Sequence, residues 1–187
     1  GDASSMLMGQ SIAHQDFDML YACCQKNLGI AGTTLVIIKN SLLEICSDRA
    51  PKTLQYQTQA QKQSCYNTPD TFSAYVCKLV LEWISQSGGI AHFDSYNRIK
   101  AQRLYDFIDE SDFLFNSIPK TQRSIMNIPF HLKDTALQTP LIKHLEHHGI
   151  YDIKGHRSIG GFRASLYNAI SLEAVDHLIA TLDIFKD

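Results

Sequence analysis

Lys26 follows the apolar run Met19-Leu20-Tyr21-Ala22 and precedes the small residues Gly29, Ala31 and Gly32. A lysine presented from such a strand can be partly desolvated, which favours the neutral amine that imine formation needs. The plain alternative is a surface lysine in water. A second candidate is Lys154-Gly155-His156-Arg157-Ser158-Ile159-Gly160-Gly161-Phe162-Arg163, two guanidinium groups and an imidazole around a Gly-Gly turn. Arginine grips carboxylate or phosphate through paired hydrogen bonds, and glycine lets a ligand approach the backbone. That combination suits a small anion; an exposed basic loop is the bland alternative.

Other residues carry weaker signals. Asp2 has the type of a turn or helix-capping residue, and Asn67-Thr68-Pro69 reads as the entry to a helix near Thr71. His144 and His148 have the i, i+4 spacing of a metal pair, but no cysteine or carboxylate constellation completes it, so His144, His147 and His148 read as a solvated polar face and no metal is assigned. The five cysteines, Cys23, Cys24, Cys46, Cys65 and Cys77, form no C-x-x-C pair and are odd in number. They read as reduced thiols, with Cys23-Cys24 packing in an apolar strand.

Positioning these groups requires regular elements. Met19–Ala22 and Thr33–Ile38 are expected to be buried strands flanking a tight loop that carries Gln25, Lys26 and Asn27. From Thr71, the recurrence of Phe72, Tyr75, Val76, Leu79, Val80, Trp83 and Ile84 predicts an amphipathic helix, ended by Gly88-Gly89. A second helical pattern covers Ile90 to Ile108, and Ser124 to Phe130 is strand-like. A helix over Asp134 to His148, extended pieces at Tyr151–Ile153 and Arg163–Tyr167, and a last helix with Leu172, Val175, Leu178, Ile179, Leu182 and Phe185 on one face complete the chain. The fold class is α/β or α+β, and Gly88-Gly89 marks a domain boundary. Lys52 to Ser64 is a polar, Gln-rich stretch.

Composition narrows the function. A net charge of −2 over 187 residues leaves no electrostatic footprint for nucleic acid or anionic membrane. No apolar run approaches the roughly 18 residues of a membrane helix. A cytoplasmic location is the expectation.

Four ordered motifs resemble those of phosphoserine aminotransferases, class V enzymes of the fold-type I pyridoxal-phosphate group. They are Asp2-Ala3-Ser4-Ser5, Tyr21 to Gly29, Cys65-Tyr66-Asn67-Thr68-Pro69, and Gly155 to Ser165. The resemblance implies an α/β fold in which residues 1–87 are the later part of the large cofactor domain and residues 88–187 the small C-terminal α+β domain. It implies Lys26 as the Schiff-base lysine of pyridoxal 5′-phosphate, Asp2 as the partner of the ring nitrogen, and Gln25 beside them. Asn67 and Thr68 match positions that reach the cofactor phosphate of the neighbouring subunit in a homodimer. His156 and Arg157 match residues that bind the substrate phosphate, and Arg163 matches the arginine that binds the α-carboxylate.

The reaction implied exchanges an amino group between glutamate and 3-phosphohydroxypyruvate, giving O-phosphoserine and 2-oxoglutarate in serine biosynthesis; some relatives also serve pyridoxine biosynthesis. Two small departures occur: Cys23-Cys24 stand where the family has a Gly-Ala pair, and Ile30 where proline is common. The family's N-terminal half, with its phosphate cup and stacking aromatic residue, has no counterpart here, so the chain alone is expected to be inactive. The rival expectations are another class V aminotransferase, of the alanine–glyoxylate or serine–pyruvate type, and a non-catalytic truncated domain.

Overall fold

The computed structural model describes residues 1–45 and 49–186, so Cys46 lies outside the described residues. The chain divides into two compact units, Gly1–His92 and Phe93–Asp187.

In the first unit, β1 (Met19–Cys23) pairs antiparallel with β2 (Thr34–Ile38) in the register Met19↔Ile38 to Cys23↔Thr34. The chain start runs parallel to β1: Ala3 N donates to Tyr21 O at 2.8 Å, and Tyr21 N donates to Gly1 O at 3.0 Å. The period-2 alternation of β1 sends Leu20 and Ala22 inward, where they form a small core with Ala3, Cys24 and Leu28. Short helices α1 (Asn40–Leu43) and α2 (Tyr56–Gln61) precede the long helix α3 (Thr71–Gln86). Asp70 caps α3, its carboxylate accepting from Ser73 N at 3.1 Å. The polar stretch before it is more ordered than its composition suggests. Buried Gln55 anchors the start of α2 by donating to Ala50 O at 2.7 Å.

Two expectations of burial are corrected. β2 is not a buried strand: Leu35 and Ile37 are 42% and 40% exposed. On α3 only Ile84 of the apolar set is fully buried, while Phe72, Tyr75, Leu79 and Trp83 lie open, Phe72 at 67%. The physical reason is that apolar periodicity reports which face needs cover, and the cover itself must come from other segments.

The second unit is built on α4 (Gly89–Glu110), which begins before the division at His92, and on β3 (Leu114–Phe115), β4 (Asn127–Leu132), α5 (Gln138–His147), β5 (Phe162–Ser165) and α6 (Leu172–Lys186). The three strands form an antiparallel sheet in the order β3-β4-β5. Ile128, Phe130 and Leu132 of β4 point into a core with Phe162, Ala164, Leu104, Ile108, Leu141, Leu145, Leu178 and Leu182. Phe130 and Phe162 stack at 5.3 Å. Sheet and helices thus share one core in the mixed α/β arrangement expected.

Two further corrections fall here. Tyr151–Ile153 forms no strand; only Ile153 O, accepting from Arg163 N at 2.8 Å, and a bridge from Lys154 to Phe162 tie it to β5. The histidines of α5 are not all a solvated face either. His144 Nε2 lies 2.9 Å from Thr181 O, His148 Nδ1 lies 2.8 Å from His144 O, and His144 packs on Phe185 of α6. The i, i+4 spacing serves helix packing, and among the described residues no group of three or more metal-ligating side chains occurs. No helix among them is long and apolar enough to cross a membrane.

Lys100 is wholly buried and closes the turn before α6, donating to Leu166 O, Tyr167 O and Ile170 O at 3.2, 3.0 and 2.8 Å. Burial pushes its pKa down to about 8. Three donors on three carbonyls use the whole capacity of an ammonium. Lys100→Met is expected to cost about 2–4 kcal/mol, because buried carbonyls lose their donor. Urea unfolding measures it; a loss below 1 kcal/mol would contradict this role.

Asp109 on α4 receives Arg123 Nη1 and Nη2 at 2.8 and 2.7 Å and Lys120 at 3.2 Å, while Arg123 stacks over Tyr105. Arg123 in particular holds the carboxyl below its ordinary value. A depressed carboxyl pKa stabilises the fold at pH values above the unfolded pKa, and that contribution fades as pH falls through the folded one. Asp109→Asn should therefore lose about 1–3 kcal/mol at pH 7, with the gap to the parent closing below pH ~4. A gap that persists unchanged in acid would contradict the ion pair as its source.

Candidate active site

The first unit sets Asp2 alongside β1 and Lys26 in the turn that follows it. Asp2 bridges Tyr21 on β1, and β1 leads into the turn carrying Gln25, Lys26 and Asn27. Ser4 holds the carboxylate: its amide donates to Asp2 Oδ1 at 2.8 Å, and Ser4 Oγ in turn accepts from Cys23 N at 2.9 Å. Hydrogen bonds from the Ser4 hydroxyl and amide, with the Tyr21 hydroxyl and the Lys26 charge, together hold Asp2 below the usual carboxylate range. Asp2 is consequently an anion throughout the neutral range. The Tyr21 phenol is pushed up by the same contact.

The turn after β1 is fixed from both sides. Buried Asn27 donates from Nδ2 to Ser5 O at 3.4 Å and Leu7 O at 3.2 Å, tying the lysine turn to the aspartate segment. On the other side Thr33 Oγ1 meets Ser73 Oγ at 2.6 Å. Gly32, at φ +123°, lies so close to Asp70 and Ser73 that a Cβ would collide with the Asp70 carboxylate. Lys26 itself is half-buried, whereas Gln25, Asn67 and Thr68 are exposed, the last two in the segment that enters α3. The supporting bonds of Tyr21, Ser4 and Asn27 are what sequence reasoning missed, although all three lie within the segments it singled out. Only the alternation of β1, which turns Tyr21 outward, hinted at one of them.

His156, Arg157 and Arg163 are brought together in the second unit on one loop and its stem. Gly155 N donates to Gly161 O at 2.9 Å and Gly160 N to His156 O at 2.8 Å, closing an exposed loop at the head of β5. Gly161, at φ +63°, packs against the ring of His131 and the carbonyl of Phe130 on β4, leaving no room for a side chain. Ser158 N donates to His156 Nδ1 at 3.3 Å. The Ser158 hydroxyl lies 2.7 Å from the same nitrogen, so the loop itself engages Nδ1. Arg163 sits opposite Pro129 on the solvent face of β5, between buried Phe162 and Ala164.

The arginines of this unit fall into two sets. Arg98, Arg103 and Arg123 are each paired with a carboxylate, on Asp94, Asp176 and Asp109. Among the described residues Arg157 and Arg163 form no such pair, so their guanidinium groups remain available for an external anion. His131, half-buried and stacked on Phe115 at 5.2 Å, backs this loop and was not singled out by its sequence.

The sequence matches the family described as aminotransferase class-V over residues 2–178. The chain belongs to the class V aminotransferases. It is 43% identical over 186 residues to the phosphoserine aminotransferase of Listeria monocytogenes, covering 100% of this chain and 51% of that one. The solved phosphoserine aminotransferase of Bacillus circulans subsp. alkalophilus superimposes with a TM-score of 0.96 at 38% identity, covering 100% of this chain and 52% of that one. A phosphoserine aminotransferase from Trichomonas vaginalis, solved with pyridoxal phosphate bound, gives 0.92 at 36% identity over 97% of this chain and 52% of its own. The resemblance read from the four motifs is borne out, as is the class V fold. This class V chain spans about half the length of the curated relatives it matches.

Proposed function

We propose that this chain supplies the lysine, aspartate and anion-binding half of a phosphoserine aminotransferase. The observation that carries the reading is Asp2, bridged to β1 and held as an anion, beside the strand whose following turn presents Lys26, within a class V sequence. These residues fit pyridoxal 5′-phosphate: a carboxylate held as an anion suits a protonated ring nitrogen, and a half-buried amine suits attachment to an aldehyde. When bound, that cofactor supplies the carbonyl that takes up the amino group and the ring that accepts electrons from the substrate Cα.

The chain's own groups divide the remaining work. Asp2 holds the proton at the ring nitrogen by charge. Lys26 Nζ anchors the cofactor and, once displaced by substrate, takes and returns the Cα proton. Gln25 flanks the lysine, and Asn67 and Thr68 contact the cofactor phosphate of a second subunit in a homodimer. His156 and Arg157 hold the phosphate of 3-phosphohydroxypyruvate or O-phosphoserine, while Arg163 holds the α-carboxylate that these share with glutamate and 2-oxoglutarate. In this reading residues 1–87 belong to the large cofactor domain and residues 88–187 form the small one, in a cytoplasmic enzyme of serine biosynthesis.

The test compares two forms. The chimera joins the unmatched half of the Listeria monocytogenes relative ahead of Gly1; it is expected to convert 3-phosphohydroxypyruvate and glutamate. Residues 1–187 alone, with pyridoxal phosphate and both substrates supplied, are expected to form no 2-oxoglutarate, because a water-excluding pocket and the donors for the cofactor phosphate are incomplete. Turnover by the isolated chain would contradict the division, and an inactive, folded chimera would contradict the assigned reaction.

A further inference from the structure

The loop that carries His156 and Arg157 is held from two sides where it rejoins β5. On one side Gly155 N donates to Gly161 O at 2.9 Å, and Arg163 N donates to Ile153 O at 2.8 Å. On the other side lies β4. Its register with β5 runs from Asn127↔Ser165 to Phe130↔Phe162, so the next position along it, His131, faces Gly161 across the pair. Alternation along β4 turns Ile128, Phe130 and Leu132 into the core and puts Asn127, Pro129 and His131 on the opposite face, the face on which β5 carries Arg163. His131 therefore shares a face with Arg163 and sits beside the foot of the Arg157 loop. Gly161 has no side chain, and the imidazole takes up the room that one would fill: a Cβ there would strike His131 Nδ1 and the Phe130 carbonyl. A stack on Phe115 of β3 at 5.2 Å fixes the ring from behind. Among the described residues the ring makes no hydrogen bond or ion pair, so what it contributes is shape.

We infer that His131 is a positioning residue for the anion-binding loop: its ring wedges the foot of the loop at Gly161 and so sets the spacing between Arg157 and Arg163. Two anion holders at a fixed spacing select a substrate whose two anionic groups match it. Gly160 and Gly161, at φ +73° and +63°, give this end of the loop no side chain of its own with which to pack. The wedge must come from a neighbouring strand, and the Gly160 side of the turn offers none, since a Cβ there would meet nothing within 4 Å. Without the ring, the foot of the loop stays tied through Gly155 alone, while Arg163 keeps its register with Pro129. The loss should therefore fall on the group that Arg157 holds.

The inference rests on the proposed reading, in which Arg157 holds a phosphate and Arg163 a carboxylate. In the active chimera, His131→Ala is expected to lower kcat/KM for O-phosphoserine by on the order of 10–100-fold, chiefly through KM, and to change the glutamate half-reaction by less than about threefold. In an Arg157→Ala background the same substitution should cost little more, because a residue that acts through Arg157 has nothing left to position. His131→Asn, which keeps an atom at the Nδ1 position, is expected to recover most of the loss. A second readout needs no activity: hydrogen exchange at the Gly155 and Gly160 amides should speed up by about tenfold or more in His131→Ala and keep the parent rate in Arg157→Ala. Equal losses for both substrates, additive losses in the Arg157→Ala background, an Asn variant as impaired as the Ala variant, or loop exchange unchanged by His131→Ala would each overturn the inference. A chimera without activity would contradict the proposed reaction instead, and the exchange rates then decide the role of His131 alone.

Discussion

Lys26→Ala in the chimera is expected to reduce transamination by on the order of 10⁴-fold or more, since one side chain performs both covalent attachment and proton transfer and general-base catalysis alone contributes about 10²–10⁴. Its surroundings set the expectation. The turn is pinned by Asn27 to Ser5 O and Leu7 O and by Thr33 to Ser73, none of which involves the lysine side chain. The variant should therefore keep its fold and circular dichroism while losing chemistry. Single-turnover conversion of glutamate to 2-oxoglutarate is the measurement, and a rate within tenfold of the parent would remove Lys26 from its role.

The second large effect separates the two arginines. Arg157→Ala should impair the half-reaction of O-phosphoserine and spare that of glutamate, whereas Arg163→Ala should impair both. Each loss is expected at about 2–5 kcal/mol, or roughly 30-fold to several thousandfold, for removal of a charged contact. Placement supports the distinction: Arg157 lies at the exposed tip of a loop closed by Gly155 and Gly161, and Arg163 on a strand locked into register with Pro129. The loop suits a group that only some substrates carry, and the rigid strand suits one they share. Equal losses for both substrates in both variants would defeat the assignment.

The turns that carry Lys26 and Arg157 were legible in sequence because their segments are contiguous: Tyr21 to Gly29 and Gly155 to Ser165 each hold their own turn residues, so type and spacing report local geometry. Helices α3, α4 and α6 were legible for the same reason, being long and periodic. Burial was not. The stripe of α3 has the same period whether or not anything covers it, and Leu35 and Ile37 look like core residues in any window. The support of Asp2 was partly hidden too: Ser4 bonds it from two residues away, but Tyr21 acts on it across a strand pairing that sequence spacing does not display. His144 and His148 misled in the opposite direction: their spacing fits a solvated polar face, but Thr181 and Phe185, some 37 to 41 residues later, turn His144 into a packing residue. Lys100 gave no signal, since its three carbonyl partners lie at least 66 residues away.

The central claim is that Lys26 is the amine that holds the cofactor, with Asp2 beside it. The chimera incubated with pyridoxal phosphate, reduced with borohydride and digested, tests it by locating the phosphopyridoxyl group among the peptides. The account predicts one modified site, Lys26, with the modification abolished in Lys26→Ala. A phosphopyridoxyl group fixed on another lysine of the active chimera, with Lys26 unmodified, would contradict it.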